Sequence, residues 1–286
     1  MITKQRGSAW SIKLVFNLYK IFGYTFIYFL MYPVTFFYFI FASNVKKSLE
    51  IYYQRLEKPF TNAIYYRHLR YFAMCMVDRF ISKFAPQSYV FEYAQKKAIK
   101  EIFDSGALLL MSHYGGWAST SNAPITQNKI NIVMKEVLLD GIKAIEDSLP
   151  LKVNNIDIID LNKSGLEVSI KIANALLDKE IVAMMGDRSN DSKYNVGLPF
   201  LGDIGFFNKN PFQIAYKTQK PIVVLFAILK GMRHYQIECL IINMNQNLKQ
   251  EESIHDAMTL YVNYYEKILQ QNPQQWFNFY NFWEKK

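Results

Sequence analysis

GALLLMSHYGGWASTS, residues 106–121, is the stretch that decides the fold. Five consecutive apolar residues, 107–111, lie between a glycine and a polar segment, which is typical of a short buried strand. Such strands end at the edge of a sheet where α/β proteins place their reactive side chains. His113 follows this strand directly and is one of only 4 histidines in the chain. We therefore take it as the candidate reactive group; a structural histidine in a tight turn is the alternative.

The residues around this stretch alternate between strand and helix patterns. Strands of ordinary length separated by helices of ten or more residues predict βαβ units and a largely parallel sheet. Strands are predicted over 131–135, 156–161, 181–186, 221–229 and 235–242, and a further strand and helix share 89–104. Helices are predicted from Trp117 onward and over 138–148, 166–178 and 253–271, with two more in 46–83 that separate at Lys58 and Pro59. The segment 198–211, rich in Gly, Pro and Asn, predicts a loop.

The N-terminal part of the chain predicts a membrane-associated helix. Residues 21–42 contain no charged side chain, and 22 residues of helix cross roughly 30 Å of hydrocarbon. Pro33 lies in the middle and is expected to kink the helix or divide it. Basic residues on both sides give no orientation. We favour a bent helical hairpin, or a helix in the membrane interface, with both ends cytoplasmic; a single crossing and a buried core helix are the alternatives.

The amino-acid composition limits the kinds of molecule that the protein is expected to bind. The 286 residues carry a formal charge of +9 and include 22 Phe and 20 Tyr, which suits a bilayer interface and an acidic partner. Anionic lipid or an acidic carrier protein fits this better than nucleic acid, because no nucleic-acid-binding motif is found. Cys75 and Cys239 form no metal or disulfide pattern. Phosphate-loop, dinucleotide, zinc-protease and serine-hydrolase motifs are missing, so we expect neither a metal nor a cofactor.

Several segments together resemble the bacterial lipid A late acyltransferases, in particular a branch with a GDR signature and an aromatic C-terminus. They are YYRHLRYFAMCMVDRF (65–80), ALLLMSHYGGW (107–117), GDR (186–188), LPFLGDIGFFNKNPFQIA (198–215) and PQQWFNFYNFW (273–283). The resemblance implies a glycerol-phosphate-acyltransferase-like α/β domain, 46–286, behind a membrane-associated segment, 1–45. It also implies transfer of a fatty acyl chain from acyl carrier protein or acyl-CoA to a hydroxyl of a lipid A precursor, at the cytoplasmic face of the inner membrane.

The family motif places an acid five positions after the catalytic histidine, and this chain departs from it. The histidine removes the hydroxyl proton as general base, and the acid orients its ring. His113 matches, but position 118 is alanine. Asp187 or Glu136 could supply the missing carboxylate, and Ser119 or Asn122 a neutral partner. Alternatively His113 works alone, or the protein has lost catalysis and only binds lipid.

The resemblance also suggests substrate-binding residues. Arg188 is expected to hold a phosphate or carboxylate through its guanidinium, although an ordinary surface ion pair with Asp187 is the alternative. Backbone N–H groups of Gly115 and Gly116 are expected to stabilise the oxyanion. The remaining candidates are Trp117, Glu136 and Lys209. Fold does not determine the acceptor, so a lysophospholipid, an ornithine lipid or a polyene lipid stays open as an alternative to lipid A.

Overall fold

The computed structural model describes residues 9–120, 125–135, 156–188 and 192–284. The helix predicted over 138–148 lies outside these residues. The described helices are α1 Ala9–Phe41, α2 Ser43–Arg55, α3 Asn62–Phe84, α4 Lys96–Asp104, α5 Gly165–Leu177, α6 Asn210–Thr218 and α7 Gln250–Gln271. The strands are β1 Val90–Tyr93, β2 Ala107–Met111, β3 Ile130–Met134, β4 Ile156–Asp160, β5 Ile181–Met185, β6 Asn195–Phe200, β7 Asp203–Asn208, β8 Ile222–Gly231 and β9 His234–Ile242.

Seven of these strands form one sheet in the order β1-β9-β8-β2-β5-β3-β4. Strands β8, β2, β5, β3 and β4 run parallel to one another. The hairpin partner β9 is antiparallel to β8, and β1 follows the direction of β9. The mixed α/β fold with a mostly parallel central sheet is therefore confirmed.

Strand β2 lies inside the sheet between β5 and β8, and all five of its residues are buried. Leu108 and Leu110 belong to a core cluster with residues of α2, α5, α6 and α7. Leu109 and Met111 belong to a second cluster with residues of α1, α3 and α4. Successive side chains of a strand point to opposite faces, so helices cover both faces of the sheet. The end of β2 is consequently held by packing on every side.

Two local predictions are wrong. The segment 198–211 is not a loop, because β6 and β7 form a two-stranded antiparallel hairpin. Leu201 and Gly202, at its tip, have φ values of 49° and 77°, as the tight hairpin turn with two left-handed residues requires. The helix predicted from Trp117 onward also does not begin there, since residues 116–119 form turns; residues 121–124 lie outside the described part.

The N-terminal segment is helical on both sides of a kink, and the kink lies at a different residue from the one predicted. The hairpin with both ends cytoplasmic stays a prediction. Helix α1 runs through Pro33, and its backbone leaves helical geometry at Gly23 instead, where φ is 74°. Proline removes a single N–H donor, which one long helix with its remaining bonds tolerates. The segment Lys13–Phe41 is long and apolar enough to cross a membrane. Its exposed side chains include Phe22, Phe29, Phe37 and Phe41.

A buried carboxylate attaches α1 to the α/β domain. Tyr24 of α1, Tyr89 and Tyr235 each donate a hydroxyl hydrogen bond to Asp78 of α3, at 2.8, 2.8 and 2.5 Å. Burial raises the pKa of the Asp78 carboxyl to about 6, although the three hydrogen bonds oppose that rise. The packing of α1 on α3 is thus fixed by a specific polar contact. The division into segments 1–45 and 46–286 stays a prediction.

His68 ties α3 to the C-terminal segment. Its Nε2 lies 2.8 Å from the carbonyl oxygen of Trp276, and its Nδ1 lies 3.4 Å from the hydroxyl of Tyr53. Because a carbonyl only accepts, Nε2 carries the proton and Nδ1 accepts from Tyr53. Trp276 itself is 1% exposed. The aromatic C-terminus is therefore part of the core.

We expect His68 to make the fold sensitive to acid. Burial lowers the pKa of His68 to about 4, although the bond to Trp276 opposes the shift. The unfolded chain therefore binds this proton first as the pH falls from about 6.5 to 4, and about 3 kcal/mol of stability is lost over that window. His68→Gln keeps both hydrogen bonds without the titration. Its thermal midpoint should fall less than that of the wild type between pH 7 and pH 4; equal slopes would contradict the assignment.

Candidate active site

The register of two strands brings His113 and Asp187 together. Met111, the last residue of β2, pairs with Met185, the last residue of β5. His113 and Asp187 each follow two positions later, so both leave the sheet at the same edge. The Nδ1 of His113 lies 3.1 Å from both carboxylate oxygens of Asp187. The backbone N–H of His113 also donates to Oδ2 of Asp187, at 3.0 Å.

This contact sets the state of both side chains. The side chain of Asp187 is 1% exposed and that of His113 is 27% exposed. Burial alone raises the pKa of the Asp187 carboxyl, but the charge and hydrogen bonds of His113 and the charge of Arg188 outweigh it, so the pKa lies below its usual value. An ionised carboxylate only accepts hydrogen bonds, so Nδ1 of His113 donates in this contact and Nε2 is the ring nitrogen left to face a substrate.

Asp187 therefore occupies the place of the acid that position 118 lacks. It was one of two acidic candidates, and the other, Glu136, lies outside the described residues, as does Asn122. Ser119 is buried, and its hydroxyl has no hydrogen-bond partner in the described part of the chain. Of the described candidates, only Asp187 contacts the imidazole.

The oxyanion role expected of two glycines does not fit the structure. The N–H of Gly115 donates to the carbonyl of Gln275, and the N–H of Gly116 donates to the carbonyl of Ala227, both at 2.8 Å. Gly115 has φ of 54°, and a Cβ there would lie 1.9 Å from the carbonyl oxygen of Ala227. These glycines allow the chain to pass close to β8, and their N–H groups are already used.

Arg188 is held beside the carboxylate by the C-terminal segment. Its Nη2 donates to Oδ1 of Asn278 at 3.1 Å, and its guanidinium carbon lies 4.8 Å from the ring centre of Tyr280. Its Nε is buried without a hydrogen-bond partner among the described residues. The described structure contains no Arg188–Asp187 ion pair of the surface kind, because Asp187 is buried against His113. Arg188 thus retains donors for an anionic group.

Of the two remaining described candidates, Trp117 contacts His113 and Lys209 does not. The ring of Trp117 stands edge-on to the ring of His113, with centroids 5.6 Å apart. Lys209 lies just after Asn208, whose N–H donates to the carbonyl of Gly186 at 3.1 Å. The backbone of Lys209 is therefore near the GDR segment, but its ammonium group contacts neither His113 nor Arg188 in the part described.

Sequence reasoning missed how closely the C-terminal segment approaches the site. Besides the two contacts with Arg188, the N–H of Phe277 donates to the carbonyl of His113 at 2.8 Å, and Trp276 forms a bridge with Tyr114. Asn278 is 3% exposed. The motif 273–283 was noted as part of the family pattern, but an aromatic-rich segment gives no signal that one amide within it holds the arginine.

The geometry of the site indicates a class of protein, and the comparison with known families then narrows that class. A partly exposed histidine, oriented by a buried carboxylate and accompanied by an arginine, is suited to removing a proton from a hydroxyl during group transfer. Residues 154–285 match the model of the bacterial lipid A biosynthesis acyltransferase family. The match, over a little less than half of the chain, supports the family that the motifs indicate and with it an acyltransferase. It contains Asp187, Arg188 and the C-terminal segment, and lies after His113. No curated protein matches the chain significantly.

Proposed function

We propose that the protein transfers a fatty acyl chain from a thioester donor to a hydroxyl of a lipid A precursor or related glycolipid, at the cytoplasmic face of the inner membrane. The observation that carries the proposal is the 3.1 Å contact between His113 and the buried Asp187. The family match supports acyl transfer. The apolar surface of α1 and the charge of +9 favour a membrane lipid over a soluble acceptor.

The proposed reaction uses His113 as general base. Its Nε2 takes the proton of the acceptor hydroxyl while the oxygen attacks the thioester carbonyl carbon. The tetrahedral intermediate then collapses, the carbon–sulfur bond breaks, and the departing thiolate receives the proton from the imidazolium. Asp187 keeps Nδ1 protonated throughout and stabilises the imidazolium. The products are an ester and a free thiol.

Arg188 is proposed to bind an anionic group of one substrate. A phosphate of the acceptor lipid and the phosphate of a phosphopantetheine arm, carried by acyl carrier protein or by coenzyme A, offer the same chemistry to a guanidinium. The Nε without a partner and the neighbouring Asn278 favour an ordered, directional contact over a general attraction. Kinetics against each donor would separate the two roles.

The lipid profile of a deletion strain tests the function directly. Loss of one acyl chain from lipid A, restored by the wild-type gene but not by His113→Ala, is the expected result. The mass change of whichever lipid is altered identifies the acceptor, so a change confined to a phospholipid, an ornithine lipid or a polyene lipid would replace the lipid A assignment. An unchanged profile, together with binding of anionic liposomes, would support the non-catalytic lipid-binding alternative.

A further inference from the structure

A basic cavity lies between α1, α3 and the end of β8. Its volume is about 180 Å³, and its lining includes Tyr28, Arg67, Arg70, Tyr71 and Lys230. It shares no lining residue with the pair His113 and Asp187. The proposed chemistry therefore gives this cavity no role.

The cavity lies on the same strand as the candidate active site, farther along. The carbonyl of Ala227 in β8 accepts the N–H of Gly116 near His113. The cavity begins at Leu229, two residues later, which is roughly 7 Å along a strand. A lipid headgroup in the cavity would thus be a neighbour of the site and not an occupant of it.

The protein uses the donor capacity of Arg70 only in part. Its guanidinium lies between the rings of Tyr28 and Tyr32, 4.5 and 3.7 Å from their centres. These rings attract the positive charge, and the hydroxyl of Tyr28 accepts a hydrogen bond from the guanidinium. Its Nε and Nη2 are buried and have no hydrogen-bond partner among the described residues. A buried unpaired donor is costly, so its persistence points to a ligand.

The charge around Arg70 is also uncompensated. Arg67 and Lys230 line the same cavity, and in the described part of the chain none of the three cations forms an ion pair with a carboxylate. Three cations without an acid favour a ligand that carries more than one acceptor oxygen. A phosphate group meets this requirement and suits the planar fork of a guanidinium.

The helix beside the cavity indicates what the phosphate is attached to. Tyr28 lines the cavity, while its neighbours on α1, Phe26 and Phe29, are 39% and 60% exposed. A molecule that combines a phosphate with apolar chains would satisfy both surfaces at once. We propose that this cavity binds the phosphate headgroup of an anionic membrane lipid through Arg70, Arg67 and Lys230, with the acyl chains of the lipid along α1.

The test is a binding titration of the full-length protein in neutral-detergent micelles with dioctanoyl phosphatidic acid. Dioctanoylglycerol has the same chains without the phosphate, and inorganic phosphate has no chains; both should bind at least tenfold more weakly. Arg70→Gln should weaken binding of phosphatidic acid about tenfold or more. Lys47→Gln removes an equal charge from an exposed position of α2 and should change the Kd less than twofold.

Each contrary outcome overturns the proposal. Equal binding of dioctanoylglycerol would show that the phosphate is not recognised, and equal binding of inorganic phosphate would assign the cavity to a free anion. If Arg70→Gln and Lys47→Gln weaken the binding of phosphatidic acid equally, the protein attracts the lipid by its net charge and not through this cavity. If Arg70→Gln does not fold, the double variant of the exposed Arg67 and Lys230 to glutamine replaces it, with the same tenfold loss expected. His113→Ala should bind phosphatidic acid like the wild type, so failure of the catalytic proposal would leave this result unaffected.

Discussion

His113→Ala is expected to lower the rate of acyl transfer about 10⁴-fold. A positioned general base contributes roughly 10²–10⁴ to a rate, and here the same ring must also return the proton to the leaving thiolate. The anion contact proposed for Arg188 does not involve the imidazole, so KM should change little. The measurement is transfer of a radiolabelled acyl chain to lipid in membranes that contain the variant.

A second histidine provides the matched control. His255 lies on the exposed face of α7, and His255→Ala should keep full activity and the same thermal midpoint. His113→Ala should stay folded with a lower thermal midpoint, because the 27% exposed ring leaves no core cavity but the buried carboxylate of Asp187 loses one partner. Substantial transfer by a folded His113→Ala protein would exclude His113 as the base.

The central strands could be read from the sequence because their burial is nearly complete. Residues 107–111 and 181–185 are continuous apolar runs, and such runs are what a strand covered on both faces requires. The apolar run 107–111 was enough to predict that His113 lies just beyond the end of a buried strand. Its pairing with Asp187 did not, because the two are 74 residues apart and meet only if β2 and β5 are neighbours in register. Sequence limited the acid to two candidates, and the strand order brings one of them, Asp187, to the imidazole.

The failures have equally specific causes. Gly115 and Gly116 looked like oxyanion donors because a glycine pair after a strand exposes N–H groups. The neighbouring strand β8 continues past the end of β2, and its Ala227 carbonyl takes one of those N–H groups. The β6–β7 hairpin was mistaken for a loop because its glycines and prolines are typical of turns. In each case hydrogen bonding to a strand outweighed local composition, across a two-residue turn in the hairpin and over a long sequence separation at Gly116.

For helix α1 too, the sequence predicted the element but not its detailed geometry. Its apolar length was evident from the sequence, but the position of its irregularity was not. Proline at position 33 suggested a division there, whereas the backbone departs from helical geometry at Gly23. Tyr24, the next residue, is held by Asp78 of α3. The tertiary contact, and not the intrinsic preference of proline, accompanies the bend.

Asp187→Asn is expected to lower acyl transfer about 10³-fold while the protein stays folded. An amide can donate as well as accept, so it no longer obliges Nδ1 of His113 to carry the proton, and the imidazolium loses its countercharge. In a serine protease the equivalent change costs about 10⁴ in kcat. The effect should be smaller than that of His113→Ala because the carboxylate acts only through the ring. The double variant should therefore be no slower than His113→Ala alone.

Substitutions at position 118 test whether Asp187 is the acid that orients His113. If Asp187 supplies the missing acid, Ala118→Glu in the wild type should change the rate less than threefold, since the imidazole already has its carboxylate. The same substitution added to Asp187→Asn should recover part of the lost activity, because it restores an acid at the spacing that the family motif uses. A large gain from Ala118→Glu alone would mean that Asp187 does not orient His113 during turnover. A solvent-exposed carboxylate, Asp203, offers the matched Asp203→Asn control, for which wild-type transfer is expected.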